Sequence, residues 1–263
     1  MAQFEIKDGT AIIPEGVKVI EDKAFQGCTS LKSITIPESV TKIGERAFSG
    51  CTSLESVVIP GSVKVIGDSA FSDCTSLESV VIPGSVTEIR RCAFYGCTSL
   101  RSVTIPASVT EIGTGVFWYC SSLESIVVAE DNPIFDSRES CNAIVETETN
   151  ALLFGCKSTI IPNSVKVIEG SAFLGCSLLE NITIPKGVTK ICESVFEKCT
   201  SLVTVTLPVG VNKIEEYVFD GCDSLSTIYV PAKKVDYYKQ RLPEELRDKI
   251  VELTSEKKTK TKK

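Results

Sequence analysis

The chain has 263 residues, 43% hydrophobic and 24% charged, with a formal net charge of -6, a sequence pI near 5.0 and no histidine. No basic stripe runs through it, which argues against nucleic acid as a partner, and no run of 18 apolar residues marks a membrane span. Without histidine the commonest general base is missing, and no Gly-rich phosphate loop, paired carboxylates or isolated nucleophile takes its place, so the chain reads as a non-enzyme without cofactor.

Residues 1–13, MAQFEIKDGTAII, alternate Phe4 and Ile6 before an Asp8-Gly9 turn and read as an N-terminal cap strand. This start has neither a basic n-region nor an apolar h-region. The chain as written is therefore expected in the cytoplasm, with the cell surface or secretion by another route as the alternative. From Pro14 onward the sequence is periodic. Pro14, Pro37, Pro60, Pro83 and Pro106 are each 23 apart, and Pro162, Pro185, Pro208 and Pro231 resume the beat. Phenylalanines keep it at Phe25, Phe48, Phe71, Phe94, Phe117, Phe173, Phe196 and Phe219, and cysteines at Cys28, Cys51, Cys74, Cys97, Cys120, Cys176, Cys199 and Cys222. The stretch CTSLESVVIPGSV occurs identically at Cys51–Val63 and Cys74–Val86. A repeat of this length builds a solenoid, in which each unit buries its faces against its neighbours.

One unit, Pro37–Ile59, shows how. Ser56–Ile59 alternates out and in, as a strand does, and Pro60 ends it because proline cannot donate to a ladder. Val40 and Ile43 point inward from a second short extended piece, and GERAFSGC supplies a tight bend. The inner set is Val40, Ile43, Ala47, Phe48, Cys51, Leu54, Val57 and Ile59. A cysteine column in register reads as stacked small apolar side chains with free thiols, because identical side chains on parallel coils do not converge for a disulfide. Cys92, Cys141, Cys156 and Cys192 lie off that column. With no C-x-x-C pair and no histidine, no metal site is expected.

The pattern Leu54-x-x-Val57-x-Ile59, with Ala-Phe and Cys-x-Ser-Leu at fixed offsets, resembles the BspA-like leucine-rich repeats of bacterial proteins over residues 14–230. The resemblance implies a mainly β repeat solenoid: a right-handed leucine-rich-repeat horseshoe, with a parallel sheet on its concave face and short turns or second short strands on the other side. It also implies surface adhesion and host-protein binding as family roles. One departure is that Ser39, Ser62, Ser85, Ser108 and Ser164 stand where an asparagine ladder is expected.

The regular repeats occupy residues 14–128 (five) and 162–230 (three), around an irregular unit at 129–161. There NAIVETETNALLFGC reads as a hairpin projecting from the stack. The carboxylates Glu130, Asp131 and Asp136 before it read as a solvated loop, since their spacing fits no calcium loop. Trp118-Tyr119 reads either as an exposed contact or as packing under that hairpin. Residues 231–253 space Val235, Tyr238, Leu242, Leu246 and Ile250 three to four apart, which predicts a helical C-terminal cap with a second helix starting at Pro243. The tail at 254–263, TSEKKTKTKK, reads as disordered and basic.

Outward strand positions, taken column by column, give the candidate binding surface: Glu55, Val58, Glu78, Val81, Arg101, Thr104, Glu124, Val127, Glu180, Thr183, Thr206 and Tyr229. The face is flat and β-branched with an acidic edge, and carries few of the aromatic anchors that concentrate binding energy. The functional expectation is a monomeric protein-interaction scaffold acting through this face or the 129–161 insertion. A spacer solenoid without specific ligand and an intracellular binding module are the alternatives.

Overall fold

The computed structural model describes residues 4–253. The chain is mainly β, built of stacked coils with short parallel strands, and divides into two compact units at 1–137 and 138–263. The basic tail at 254–263 lies outside the described residues.

In the first unit, each coil contributes two strands. Thr10–Ile12 and Ser33–Thr35 pair in parallel, and Ser56–Val58, Ser79–Val81, Ser102–Ile105 and Ser125–Val128 form a four-stranded parallel sheet. The N–H of Glu55 donates to the carbonyl of Lys32 at 3.2 Å and carries the contact between these two sets. The second ladder comprises the two-residue strands Val19–Ile20, Lys42–Ile43, Val65–Ile66, Glu88–Ile89 and Glu111–Ile112, all parallel and in register. The second short extended piece of the repeat is thus a true strand.

The inner set expected from one repeat is the core: Val40, Ile43, Ala47, Phe48, Cys51 and Leu54 are 0% exposed, Val57 4% and Ile59 3%. Between the ladders runs the bend, where the phenylalanine rings stack nearly parallel. Their centroids lie 5.2 Å apart for Phe25 and Phe48, 5.0 Å for Phe48 and Phe71, and 5.4 Å for Phe71 and Phe94. Pro14, Pro37, Pro60, Pro83 and Pro106 close β-turns, each accepting from the valine three residues on, as Pro37 does from Val40 at 3.1 Å.

Two side-chain ladders tie coil to coil. The Oγ of Ser85 donates to the Val63 carbonyl at 2.7 Å, and Ser108 to Val86 at 2.6 Å. A serine ladder therefore stands where the asparagine ladder is missing. The cysteines do more than fill space. From the second repeat of the first unit on, each column thiol donates to the carbonyl of the phenylalanine 26 residues earlier: Cys51 to Phe25 at 3.1 Å, Cys74 to Phe48 at 3.2 Å, Cys97 to Phe71 at 3.2 Å and Cys120 to Phe94 at 3.1 Å. All twelve cysteines are free thiols.

Three local expectations need correcting. The N-terminal segment is a hairpin rather than one strand: Ile6–Lys7 pairs antiparallel with Thr10–Ile12, which is itself the first rung of the stack. The second hairpin, Ala143–Glu146 with Ala151–Gly155, does not project. Ala143, Ile144, Val145 and Leu152 are 0% exposed, and Ala151 and Leu152 pair in parallel with Val167 and Ile168. Its second strand is the first rung of the ladder that continues through Val167–Ile168, Lys190–Ile191 and Lys213–Ile214. At the C-terminal end, Val235–Lys239 is a short α-helix, but Pro243 opens only the 3-10 turn Glu244–Lys249. The strand Ile250–Glu252 then adds in parallel to Thr227–Val230. Tyr238, Leu242, Leu246 and Ile250 are all buried, as a helix would bury them. The β-branched Ile250-Val251 instead satisfies the open edge of Thr227–Val230, and edge pairing overrides the helical spacing.

Candidate interaction surface

In the first unit the ladder places four of the candidate residues, Val58, Val81, Thr104 and Val127, on one sheet face. Val58 lies directly opposite Val81, and Thr104 opposite Val127, since register alone decides which face a side chain takes. Val58 is 73% exposed, Val81 68% and Val127 44%. Beside them the row Lys32, Glu55, Glu78, Arg101 and Glu124 is stitched N–H to carbonyl, coil to coil, at 2.8 to 3.2 Å. The edge is acidic at Glu55 and Glu78, and Arg101 then separates Glu78 from Glu124.

The other four candidates belong to the second unit. Glu180 and Thr183 are exposed, and Thr183, Thr206 and Tyr229 stand opposite one another in register. Two residues extend these columns and were overlooked in the repeat reading. Ile12, 69% exposed, pairs with Thr35 and begins the first column. Its spacing of 23 from Thr35 was the available signal, hidden by treating residues 1–13 as a cap. Val251, opposite Tyr229, ends the second column, and the apparent helical period concealed it.

The small polar column alongside is partly self-satisfied. Thr10 and Ser33 hydroxyls lie 3.1 Å apart, and the Thr204 hydroxyl donates to the Asn181 side chain at 2.6 Å. Hydroxyls so engaged have less to offer a ligand, which shifts the weight of recognition onto the exposed valines and the flanking charges.

The acidic loop before the hairpin has a different organiser from its carboxylates. Asn132 is buried. Its amide donates to the carbonyls of Pro106 at 2.9 Å and Val109 at 2.8 Å, and its oxygen accepts from the N–H groups of Ile134 and Phe135. Every hydrogen-bonding capacity of that side chain goes into closing the turn. Glu130 and Asp131 face outward, and no group of three or more metal-ligating side chains occurs among the described residues. Trp118 and Tyr119 are half-buried. The Tyr119 ring meets Tyr95 of the preceding coil edge-on at 5.4 Å.

Among the described residues no helix is long and apolar enough to cross a membrane. No curated protein matches the sequence significantly. Among solved structures, a leucine-rich cell surface protein of Faecalibacterium prausnitzii is 31% identical, with 94% of this chain and 73% of that one covered and a TM-score of 0.68. A leucine-rich repeat protein of Bacteroides ovatus is 27% identical over 94% of this chain and 66% of its own, at a TM-score of 0.59. The Treponema pallidum leucine-rich repeat protein is 30% identical over 73% and 77%, at 0.50. The profile of the BspA type leucine-rich repeat region matches in six copies over residues 6–124 and 152–259, spanning the same phenylalanine, cysteine and serine ladders that hold the coils together. This chain belongs to the BspA-type leucine-rich repeat family.

Proposed function

We propose that the chain is a non-enzymatic protein-interaction scaffold whose contact surface is the strand face of the first unit. The observation that carries this reading is the pair Val58 and Val81, opposed in register and 73% and 68% exposed, with Ile12 and Val127 extending the column. Two adjacent aliphatic side chains held in water on a paired sheet, in a column that Thr35 and Thr104 continue toward Ile12 and Val127, support docking of another protein. Glu55 and Glu78 at its flank favour a partner with a basic surface, and steer it toward the sheet. Because a similar structure is that of a cell surface protein of Faecalibacterium prausnitzii, the partner is sought first among extracellular proteins, where adhesion or host-protein binding would take place.

The test places a photo-crosslinking amino acid at Val58 or Val81 and, as a control, at Lys64 between the two ladders, in cells that carry the protein natively. We expect a discrete protein adduct from the two valine positions, lost in the Glu55→Lys/Glu78→Lys/Glu124→Lys variant. Equal adducts from Lys64, or none from the valines, would overturn the reading and leave a spacer solenoid.

A further inference from the structure

Each coil of the second unit hands hydrogen bonds to the next through its bend. The N–H groups of Ser171, Phe173 and Gly175 donate to the carbonyls of Glu193, Val195 and Glu197, all at 2.9 Å. Those of Ser194, Phe196 and Lys198 donate to Glu216, Val218 and Asp220 at 3.0, 2.9 and 2.8 Å. The last coil repeats the backbone conformation, with φ of 57° at Tyr217 and 65° at Gly221 against 56° at Ser194 and 60° at Lys198. Its N–H groups at Tyr217, Phe219 and Gly221 have no acceptor among the described residues. Backbone donors in a row without partners form an open ladder edge, which is a template for one more chain.

The C-terminal cap does not close this edge. The turn Glu244–Lys249 stands off from it and leaves a groove of about 690 Å³ between them. Val218, Phe219, Leu242 and Leu246 supply the apolar floor and wall. Around the mouth lie Glu216, Asp220, Asp223 and Glu245, opposed by Lys249. Tyr217 sits at the rim, 58% exposed, in the position that other coils fill with Lys23, Arg46, Ser69, Cys92, Ser171 or Ser194. A large exposed aromatic beside a groove is the kind of residue on which binding energy concentrates.

We infer that this open edge is a second binding site, separate from the strand face, which takes an extended basic segment of a partner protein by strand-like addition. The stacking geometry states what fits. Three carbonyls at alternate residues of a five-residue stretch accept from Tyr217, Phe219 and Gly221, as Glu216, Val218 and Asp220 accept one coil earlier. An apolar side chain of the segment meets the exposed Tyr217 ring, and lysine or arginine side chains reach Glu216, Asp220, Asp223 and Glu245. A second copy of this chain does not fit as occupant, because the matching bend of its first coil is already covered, its Phe25 ring by Phe4 at 5.7 Å.

The probe is a blocked seven-residue peptide alternating lysine and valine, titrated into the full chain and followed by amide NMR. Saturable downfield shifts are expected at the Tyr217, Phe219 and Gly221 amide protons, and not at the already bonded Ser194, Phe196 and Lys198. An analogue with ester linkages, whose carbonyls accept more weakly, binds about tenfold more weakly. So does the unmodified peptide with Glu216→Lys/Glu245→Lys, two exposed positions whose exchange leaves the core intact. The inference is overturned by an absence of saturable shifts at millimolar peptide, by shifts that appear only at Val58 and Val81, or by equal binding of a peptide alternating glutamate and valine. Absent shifts, or equal binding of the glutamate peptide, leave the strand-face reading untouched, whereas shifts confined to Val58 and Val81 would move the peptide to that face; the crosslinking experiment decides the strand-face reading by itself.

Discussion

A cysteine that recurs every 23 residues invites a disulfide or metal reading, and the geometry shows a third use. In the column the thiol is a small apolar filler that also donates, through Sγ, to a carbonyl of the coil before it. Burial is the main cause that pushes these groups up: Cys51 and Cys120 to about 12, with Cys74 and Cys97 raised as well. The neighbouring thiol in the column adds to the rise for Cys51, Cys74 and Cys97. A thiol is reactive only as thiolate and only when reached. At pH 8 in the folded protein, a disulfide-exchange reagent should therefore label at most Cys28 and Cys92, the two that are partly exposed, while denaturation releases all twelve. Rapid labelling of Cys51, Cys74 or Cys97 in the folded chain would refute the buried column.

At the scale of elements, what was legible depended on whether the period was intact. Within the regular repeats the inward residues, the bend and the outward columns all follow from one 23-residue phase, because a coil stacked on an identical coil has one way to place each side chain. The hairpin was legible as a hairpin, from the turn Thr147–Asn150 between apolar runs. Its inclusion in the ladder was not, since whether an edge strand projects or pairs depends on what it finds opposite. Gly155 makes the seating possible. A Cβ there would stand 2.2 Å from the Phe173 ring, which is itself fully buried and stacked on Phe196 at 5.1 Å. Gly155→Val should then destabilise the second unit by about 2–3 kcal/mol, through displacement of Phe173. Denaturant unfolding monitored in that unit checks this, and an unchanged midpoint would mean that the hairpin yields without cost. The C-terminal strand at Ile250–Glu252 was hidden for a related reason. Leu246 and Ile250 face inward in both a helix and a turn-plus-strand, and only the unpaired edge of Thr227–Val230 chooses between them. The binding columns were legible as outward positions, whereas the open bend of the last coil was not, because an unpaired N–H leaves no mark in the residue sequence.

For the molecule as a whole, the buried column thiols raised on folding make stability fall at alkaline pH. The usual thiol value is near 9.0, and in the fold Cys51, Cys120 and Cys222 are raised to about 12, with Cys74, Cys97 and Cys199 raised too. A group raised on folding keeps its proton in the native state after the unfolded chain has lost it. Below pH 9 both states are protonated and the thiols leave stability unchanged. Above pH 9 the unfolded state binds fewer protons, so stability falls, by about 1.4 kcal/mol per thiol for each pH unit until the folded value is reached. The loss adds over Cys51, Cys74, Cys97, Cys120, Cys199 and Cys222, since they sit in neighbouring coils and each coil's stability rests on its neighbours. Urea midpoints should therefore be level from pH 7 to 8.5 and drop steeply by pH 10. Lysines and tyrosines also begin to titrate there, so the decisive comparison is with Cys97→Ala. That variant starts about 1–2 kcal/mol less stable from the lost packing, yet above pH 9 its curve should fall by about 1.4 kcal/mol less per unit than that of the parent chain. Parallel curves for the two would show that Cys97 ionises as readily in the fold as out of it, and the sealed column of thiols would have to be abandoned.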